Sequence, residues 1–166
     1  MYYIRDNLAV CGFHHIGSRE QFEAHGFRVQ LQCTEPFDPW LPECVEVMAA
    51  PFDDGMPIPK ELFQTAQDWL AAHWDSGFKI LISCAAGQSR SVTMAIALLS
   101  RKDGLSVLDA AHDVIARVPG AYPHPSVLNS AAEQPRGDAT QLSQPRPMPP
   151  EDRTCHSGLA RGLRGR

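Results

Sequence analysis

Apolar and polar positions in residues 1–133 alternate with the two-residue period of strands in some stretches and form short apolar runs in others. Residues 28–33 (RVQLQC) alternate between polar and apolar, which predicts a strand. Residues 78–83 (FKILIS) are apolar and β-branched, a composition typical of a strand buried in a sheet. Two further strand candidates are residues 8–11 and 44–49.

Between these strand candidates, apolar residues recur at the three- and four-residue spacing of helices. The first predicted helix opens at Ser18, whose spacing to Gln21 is that of a capping box, and closes at Gly26. Further helices are predicted over 60–75, 90–101, 106–118 and 126–133.

Strands that alternate with helices of this length imply βαβ units. The predicted fold class is therefore α/β, with a central, mostly parallel sheet flanked by helices on both faces. Ligands of such sheets bind outside the carboxyl ends of the strands. A functional site is expected in the turn between strand 78–83 and helix 90–101.

Composition divides the chain into two parts. The 166 residues are 43% hydrophobic and 20% charged, as expected for one globular domain. Residues 134–166 contain five Pro and four Gly but no aromatic residue, so they cannot bury enough apolar surface to become ordered. We therefore predict one domain over 1–133 and a disordered Pro/Arg/Gly-rich tail over 134–166.

Charge and hydropathy limit the partners of the chain. Its net charge of −4 argues against nucleic-acid binding. Its longest apolar run, residues 94–99, is far shorter than the ~20 residues of a membrane span. Arg5 and Asp6 interrupt any secretory signal at the start. We predict a cytoplasmic protein without a membrane span, and leave its oligomeric state open.

The five cysteines are an odd number at irregular spacing, and no Cys/His pair has the spacing of a zinc site. No metal site is therefore predicted. Cys11, Cys33 and Cys44 are expected to be buried free thiols, which pack as small hydrophobic residues. Cys84 differs because of the turn that it begins.

The turn at residues 84–91 reads CAAGQSRS, between a buried-strand pattern and a helix start. Small residues let backbone N–H groups point inward, and Gly87 can adopt conformations that other residues resist. A helix starting near Arg90 adds unpaired N–H groups and the positive end of its dipole. Arg90 can hold two oxygens of a phosphate, and the same field favours the nucleophilic thiolate of Cys84. The pattern predicts an oxyanion cradle around a reactive thiol.

This turn resembles the phosphate-binding loop of the cysteine-based protein phosphatases, in particular the dual-specificity branch of the protein tyrosine phosphatase superfamily. The match spans roughly residues 5–133 and is strongest over 78–102. Residues 50–55 (APFDDG) precede helix 60–75 as the general-acid loop does in that family. Counting back from Phe63 places Asp53 at the family's acid position. Asp54 is the alternative, and a third reading is that both aspartates only solvate the turn.

The resemblance implies a two-step hydrolysis of a phosphomonoester. Cys84 would form a cysteinyl-phosphate, Asp53 would act as acid and then as base, and Ser91 would help the thiolate leave. No metal or other cofactor is implied. The substrate phosphate would be held by the side chain of Arg90 and by the loop residues Ala85, Ala86, Gly87, Gln88 and Ser89.

Two positions depart from the family pattern. Ser83 stands where the family usually has the His that precedes the nucleophile, which implies a weakened but still active enzyme. His124 stands where the family often has an Asn that braces the phosphate loop. A histidine at this place is expected to be an exposed loop residue.

The predicted substrate is a phosphoprotein that carries phosphotyrosine, with phosphoserine and phosphothreonine as further substrates. The chain has no room for the insert that deepens the pocket of larger relatives. Ala85, Ala86 and Gln88 supply no charge for additional phosphates, which disfavours a phosphoinositide. The main alternative is a weak or inactive phosphate-binding interaction module on the same fold. A rhodanese-like sulfurtransferase is a less favoured alternative.

Overall fold

A computed structural model describes residues 1–15, 18–35 and 41–133 of the chain. The strands of this part are Tyr2–Arg5 (β1), Leu8–Gly12 (β2), Val29–Gln32 (β3), Glu46–Ala49 (β4) and Ile80–Cys84 (β5). They form one sheet in the order β1-β2-β5-β3-β4. The pairs β2–β5, β5–β3 and β3–β4 are parallel, and β1 is antiparallel to β2. The predicted tail over 134–166 lies outside the described residues.

Two of the five helices connect strands, and the other three follow the last strand, β5. Ser18 caps the first helix by accepting a hydrogen bond from the Gln21 amide, and Gly26 ends it in the left-handed conformation. The helices are Arg19–His25 (α1), Lys60–Asp75 (α2), Arg90–Lys102 (α3), Val107–Arg117 (α4) and Pro125–Ala132 (α5), with a 3-10 turn over Phe13–His15.

The sheet buries a core on each face because successive strand residues point to opposite sides. Val10 and Ile82 lie in the larger core, which they share with α2, α3, α4 and α5. Ala9 and Leu81, their neighbours along the strands, pack against Phe22 of α1 on the other face. The carboxyl ends of β2, β3 and β5 therefore meet at one edge of a sheet that is covered on both sides.

The predicted α/β fold is confirmed, and every predicted strand and helix is present with ends shifted by two residues or fewer. Two elements were not predicted, β1 and the 3-10 turn that follows β2. β1 is an edge strand in which Tyr2 pairs with Val10. This pairing depends on tertiary structure, so the local sequence pattern does not predict it.

Burial confirms two of the three predicted buried thiols. Cys11 and Cys33 are buried and free, whereas Cys44 is half-buried and disulfide-bonded, so the prediction of a buried free thiol is wrong at that position. Cys44 lies two residues before the edge strand β4, whose residues are mostly exposed. Within the described ranges, no helix combines the length and the apolar character that crossing a membrane requires.

Candidate active site

The loop over residues 84–91 lies where β5 ends and α3 begins, at the carboxyl edge of the sheet. Cys84 is the last residue of β5, and Arg90 is the first residue of α3. The first turn of α3 carries no acidic side chain, and Ser89 at its N-cap makes no side-chain capping bond. The backbone N–H groups and the positive end of the helix dipole are therefore directed at this loop.

Gly87 lets the loop turn tightly against the end of β2. Its φ is 75°, in the left-handed region that favours glycine. A Cβ at this position would lie only 2.4 Å from the backbone N of Gly12 and 2.6 Å from the carbonyl carbon of Cys11. Gly12 is equally constrained, since its own Cβ would lie 2.8 Å from the backbone of Ala86. The loop therefore requires two glycines, of which sequence reasoning identified one.

Cys84 lies at the base of this loop with two hydrogen-bond partners on its sulfur. The Gly87 amide donates to Sγ at 3.2 Å, and the Ser91 hydroxyl lies 3.3 Å from the same atom. The residue is only 3% exposed. Donors directed at sulfur stabilise a thiolate, because a thiolate accepts hydrogen bonds more strongly than a thiol does.

Arg90 joins the loop to two neighbouring segments. Its Nη1 donates to the Cys33 carbonyl at 3.3 Å and to the Phe52 carbonyl at 3.1 Å. Its Nε is buried and has no hydrogen-bond partner among the described residues. A buried guanidinium N–H without a partner is costly, so this group is a donor available to a bound anion.

The two aspartates of the neighbouring loop have different environments. Asp54 accepts a hydrogen bond from the Ser89 hydroxyl at 2.6 Å, and Ser89 in turn accepts one from the His124 amide at 3.1 Å. Asp53 is exposed, and its carboxylate makes no hydrogen bond or ion pair to another described residue. Ser89 therefore connects three segments, and Asp53 is the carboxyl group that stays unengaged.

His124 has a structural role that its assignment as an exposed loop residue does not include. It is exposed, but its Nδ1 accepts from the Ser126 amide and so caps α5. Its ring faces Gly55, where a Cβ would lie 3.8 Å from Nε2. The histidine thus lies between the start of α5 and the loop of Asp53 and Asp54.

Ser83 and Gln30 form a buried polar pair directly behind the loop. The Gln30 side-chain amide donates to the Ser83 hydroxyl at 3.0 Å, and both residues are at most 5% exposed. Ser83, the residue directly before Cys84, is therefore hydrogen-bonded across the sheet to β3. Gln30 was missed by sequence reasoning, because the alternation of residues 28–33 gives no sign that the polar side of β3 is buried as well.

Cys33 is a second thiol beside the nucleophile candidate. It follows β3, and its amide donates to the Ser83 carbonyl at 2.8 Å. Complete burial and the nearby Cys84 raise the pKa of the Cys33 thiol well above its ordinary value, although Arg90 acts in the opposite direction. Cys33 is therefore a neutral thiol at physiological pH.

The described residues contain no group of three or more His, Cys, Asp or Glu side chains that could hold a metal ion. His14 and His15 lie together with ring centroids 4.2 Å apart, but they have no third partner of this kind. His15 Nδ1 accepts from the Gly12 amide, so this histidine supports the turn that packs against Ala86.

Comparison with known proteins shows similarity at the level of structure. No protein-family model matches the chain, and no curated protein matches it. Human DUSP28 aligns with a TM-score of 0.70 at 22% identity, over 79% of this chain and 92% of that one. Tk-PTP in its active form aligns with a TM-score of 0.66 at 24% identity, over 80% of this chain and 96% of that one.

A human tyrosine phosphatase-like serine/threonine/tyrosine-interacting protein also aligns, with a TM-score of 0.69 at 18% identity. That alignment covers 80% of this chain and 93% of the other. The chain therefore has the fold of the dual-specificity-type protein tyrosine phosphatases. Structural alignments at identities this low establish the fold alone, and the activity is argued from the site.

Proposed function

We propose that the protein is a cysteine-dependent phosphomonoester hydrolase that acts on phosphoproteins. The observation that carries the proposal is the 84–91 loop, in which a buried sulfur receives the Gly87 amide beside an unpartnered guanidinium N–H of Arg90. Phosphoryl transfer to sulfur needs a nucleophile and, beside it, a hydrogen-bond donor that is available to the phosphate. The fold, shared with proteins named as phosphatases, supports the same reading.

In the first step, the Cys84 thiolate attacks phosphorus and the ester P–O bond breaks as the S–P bond forms. Asp53 gives its proton to the leaving oxygen, so the alcohol departs neutral. Arg90 and the N–H groups of residues 85–90 hold the equatorial oxygens, where negative charge is spread in the transition state. Asp53 is preferred to Asp54 for this role because Asp54 already accepts from Ser89.

In the second step, water attacks phosphorus of the cysteinyl-phosphate, and Asp53 takes the proton of that water. The S–P bond breaks and inorganic phosphate leaves. Ser91 lies 3.3 Å from the sulfur and can donate to the departing thiolate. The nucleophile must stay reduced between turnovers, which is why we place this activity in the cytoplasm.

Hydrolysis of para-nitrophenyl phosphate, without metal and with a reductant, tests this proposal. We expect turnover by the native protein and none by Cys84→Ser, because a serine hydroxyl in this site is a far weaker nucleophile than a thiolate. Cys84→Ser keeps the shape of the cradle and should still bind vanadate or phosphate. A variant that retains native turnover would contradict the assignment of Cys84.

A phosphate-binding interaction module is the second candidate, and Ser83 at the usual position of His is the observation that favours it. It predicts a folded native protein that binds phosphate without hydrolysing para-nitrophenyl phosphate between pH 5 and 8. A sulfurtransferase would instead move sulfur from thiosulfate to cyanide. A phosphoinositide phosphatase would release phosphate from vesicles that contain phosphoinositides.

A further inference from the structure

Among the described residues, three exposed apolar side chains border the 84–91 loop, and we call them the rim: Phe13, Met56 and Tyr122. Their exposed fractions are 40%, 59% and 78%. Scattered exposed apolar residues are ordinary on a protein surface, whereas a group around one site marks a contact surface. The three come from three separate segments of the chain, so their grouping is a property of the tertiary structure.

Each rim residue lies in, or directly after, a segment that contacts the 84–91 loop. Phe13 follows Gly12, which packs against the backbone of Ala86. The backbone amide of Tyr122 itself donates to the Gln88 carbonyl at 2.9 Å. Met56 lies two residues after Asp54, whose carboxylate accepts from Ser89. The rim therefore borders the cradle at three successive places along the loop.

Two other exposed apolar residues lie elsewhere. Tyr3 stacks on Phe27, away from the loop. Leu108, 65% exposed, lies near the far end of α3, where the Ser100 hydroxyl donates to the Leu105 carbonyl. Since α3 has 13 residues, this end is about 20 Å from its start at the loop. Leu108 is thus a matched control for the rim, equally apolar and exposed but remote.

The charges around the cradle limit what the rim can contact. The bordering segments 12–15, 33–35, 52–59 and 118–125 contain no Lys or Arg, although Lys60 and Arg117 lie directly beside two of them, so Arg90 is the one permanent cation within the loop and these segments. The same segments carry the carboxyl groups of Glu35, Asp53 and Asp54. A ligand with several phosphates or with acidic neighbours would find one guanidinium and the carboxylates of Glu35 and Asp54, besides Asp53, which the proposed first step uses in its protonated form.

From these two observations we infer that the substrate is a singly phosphorylated tyrosine whose neighbouring residues are apolar. The inference deepens the proposed function and rests on it. The phosphate enters the cradle, and the aromatic ring and the flanking side chains pack on the rim. Tyr122 is the principal specificity residue because it combines the largest exposed fraction of the three with a direct backbone contact to the loop.

Two phosphotyrosine peptides of equal length test this inference, one with Leu and Val around the phosphotyrosine and one with Asp and Glu. Their dissociation constants are measured by fluorescence anisotropy on Cys84→Ser, which does not consume them. We expect the apolar peptide to bind about tenfold more tightly, a preference of a size that a modest buried apolar area supplies. Cys84→Ser with Tyr122→Ala should lose most of that preference, and Cys84→Ser with Leu108→Ala should keep it.

Equal or tighter binding of the acidic peptide would overturn the inference. So would an unchanged preference after Tyr122→Ala, or equal binding of the apolar peptide without its phosphate. These outcomes are separate from failure of the proposed function. If the native protein does not hydrolyse para-nitrophenyl phosphate while Cys84→Ser still prefers the apolar phosphopeptide, the proposed hydrolase activity is contradicted and the inferred ligand is supported.

Discussion

Asp53 and Asp54 are adjacent in the chain, yet only one of them is bonded to the 84–91 loop. Asp54 accepts from Ser89 at 2.6 Å, while Asp53 is exposed and unengaged. Arg90 also binds the carbonyl of Phe52, the residue just before this pair. We interpret Asp54 as a positioning residue that holds the acid loop, and Asp53 as the proton donor.

Alanine substitutions separate these roles. With a phosphate ester that has a poor leaving group, Asp53→Ala should lower kcat by roughly 10²–10⁴, the usual contribution of general acid catalysis. Asp54→Ala should lower it much less, since only the position of the loop changes. Steady-state kinetics at one pH would measure both, and a larger effect of Asp54→Ala would reverse the assignment.

Ser89 supplies the control for Asp54. If Asp54 acts through its hydrogen bond to Ser89, then Ser89→Ala should reproduce its effect. The double variant should then add little to either single change. Additive effects on kcat would mean that Asp54 acts on the substrate by another route.

The buried hydrogen bond between Gln30 and Ser83 can be tested by its effect on stability. Ser83→Ala removes the acceptor of a buried amide donor, so it should lower the free energy of unfolding by about 1–3 kcal/mol. Ser83→Ala with Gln30→Leu should recover much of this loss, because both polar partners are then gone. Urea denaturation measures the unfolding free energy of each variant. An unfolding free energy that Ser83→Ala leaves unchanged would show that the pair does not stabilise the fold.

At the scale of elements, the site depends on how closely the turn after β5 approaches the end of β2. Gly87 and Gly12 meet backbone to backbone, and neither position has room for a Cβ. The glycine after Cys84 was recognised from the loop pattern alone. The requirement at Gly12 became visible only when β2 and β5 were paired, since Gly12 is aligned with Cys84 in that register.

Gly87→Ala tests this approach, and Gly77→Ala is its matched control. Both glycines have φ near 75°, but a Cβ at Gly77 would meet nothing within 4 Å. Gly77→Ala should therefore cost only the backbone strain, about 1 kcal/mol. Gly87→Ala should cost clearly more and also weaken vanadate binding. Similar unfolding free energies for the two variants would argue against a tight approach.

At the scale of the whole molecule, the sheet brings the ends of β2, β3 and β5 to one edge and so places Cys33 beside Cys84. Cys33 was predicted as a buried thiol, and its burial is confirmed. Its proximity to the candidate nucleophile was not predicted, because the two are 51 residues apart in the chain and only the parallel pairing of β3 with β5 joins them.

This burial predicts a loss of stability at high pH. Burial first, and Cys84 second, raise the pKa of Cys33 in the folded state well above its ordinary value. In the unfolded chain the thiol ionises normally, so the stabilisation present below pH 9 is lost as pH rises. The expected slope is about 1.4 kcal/mol per pH unit. Cys33→Ala should flatten the alkaline limb, and an unchanged limb would contradict the prediction.

The amino-acid sequence by itself determined the alternation of strands and helices, the α/β class and the position of the 84–91 loop. These follow from local causes: the period of apolar residues, capping residues such as Ser18, and glycines where a turn needs them. The residue types of the loop, Cys84 and Arg90 above all, also indicate their chemistry without a structure, because thiol and guanidinium properties are intrinsic.

Only the tertiary structure decided which distant residues complete the site. The carbonyls that hold Arg90, the partner of Ser83, the engagement of Asp54 and the rim all come from segments far apart in the chain. The local pattern of apolar and polar residues does not determine the strand order or how the loops cross, since these depend on packing of the whole core. The sequence therefore predicted the reaction and Asp53 as its acid, and the fold showed that Asp54 is engaged by Ser89 and which surface borders the loop.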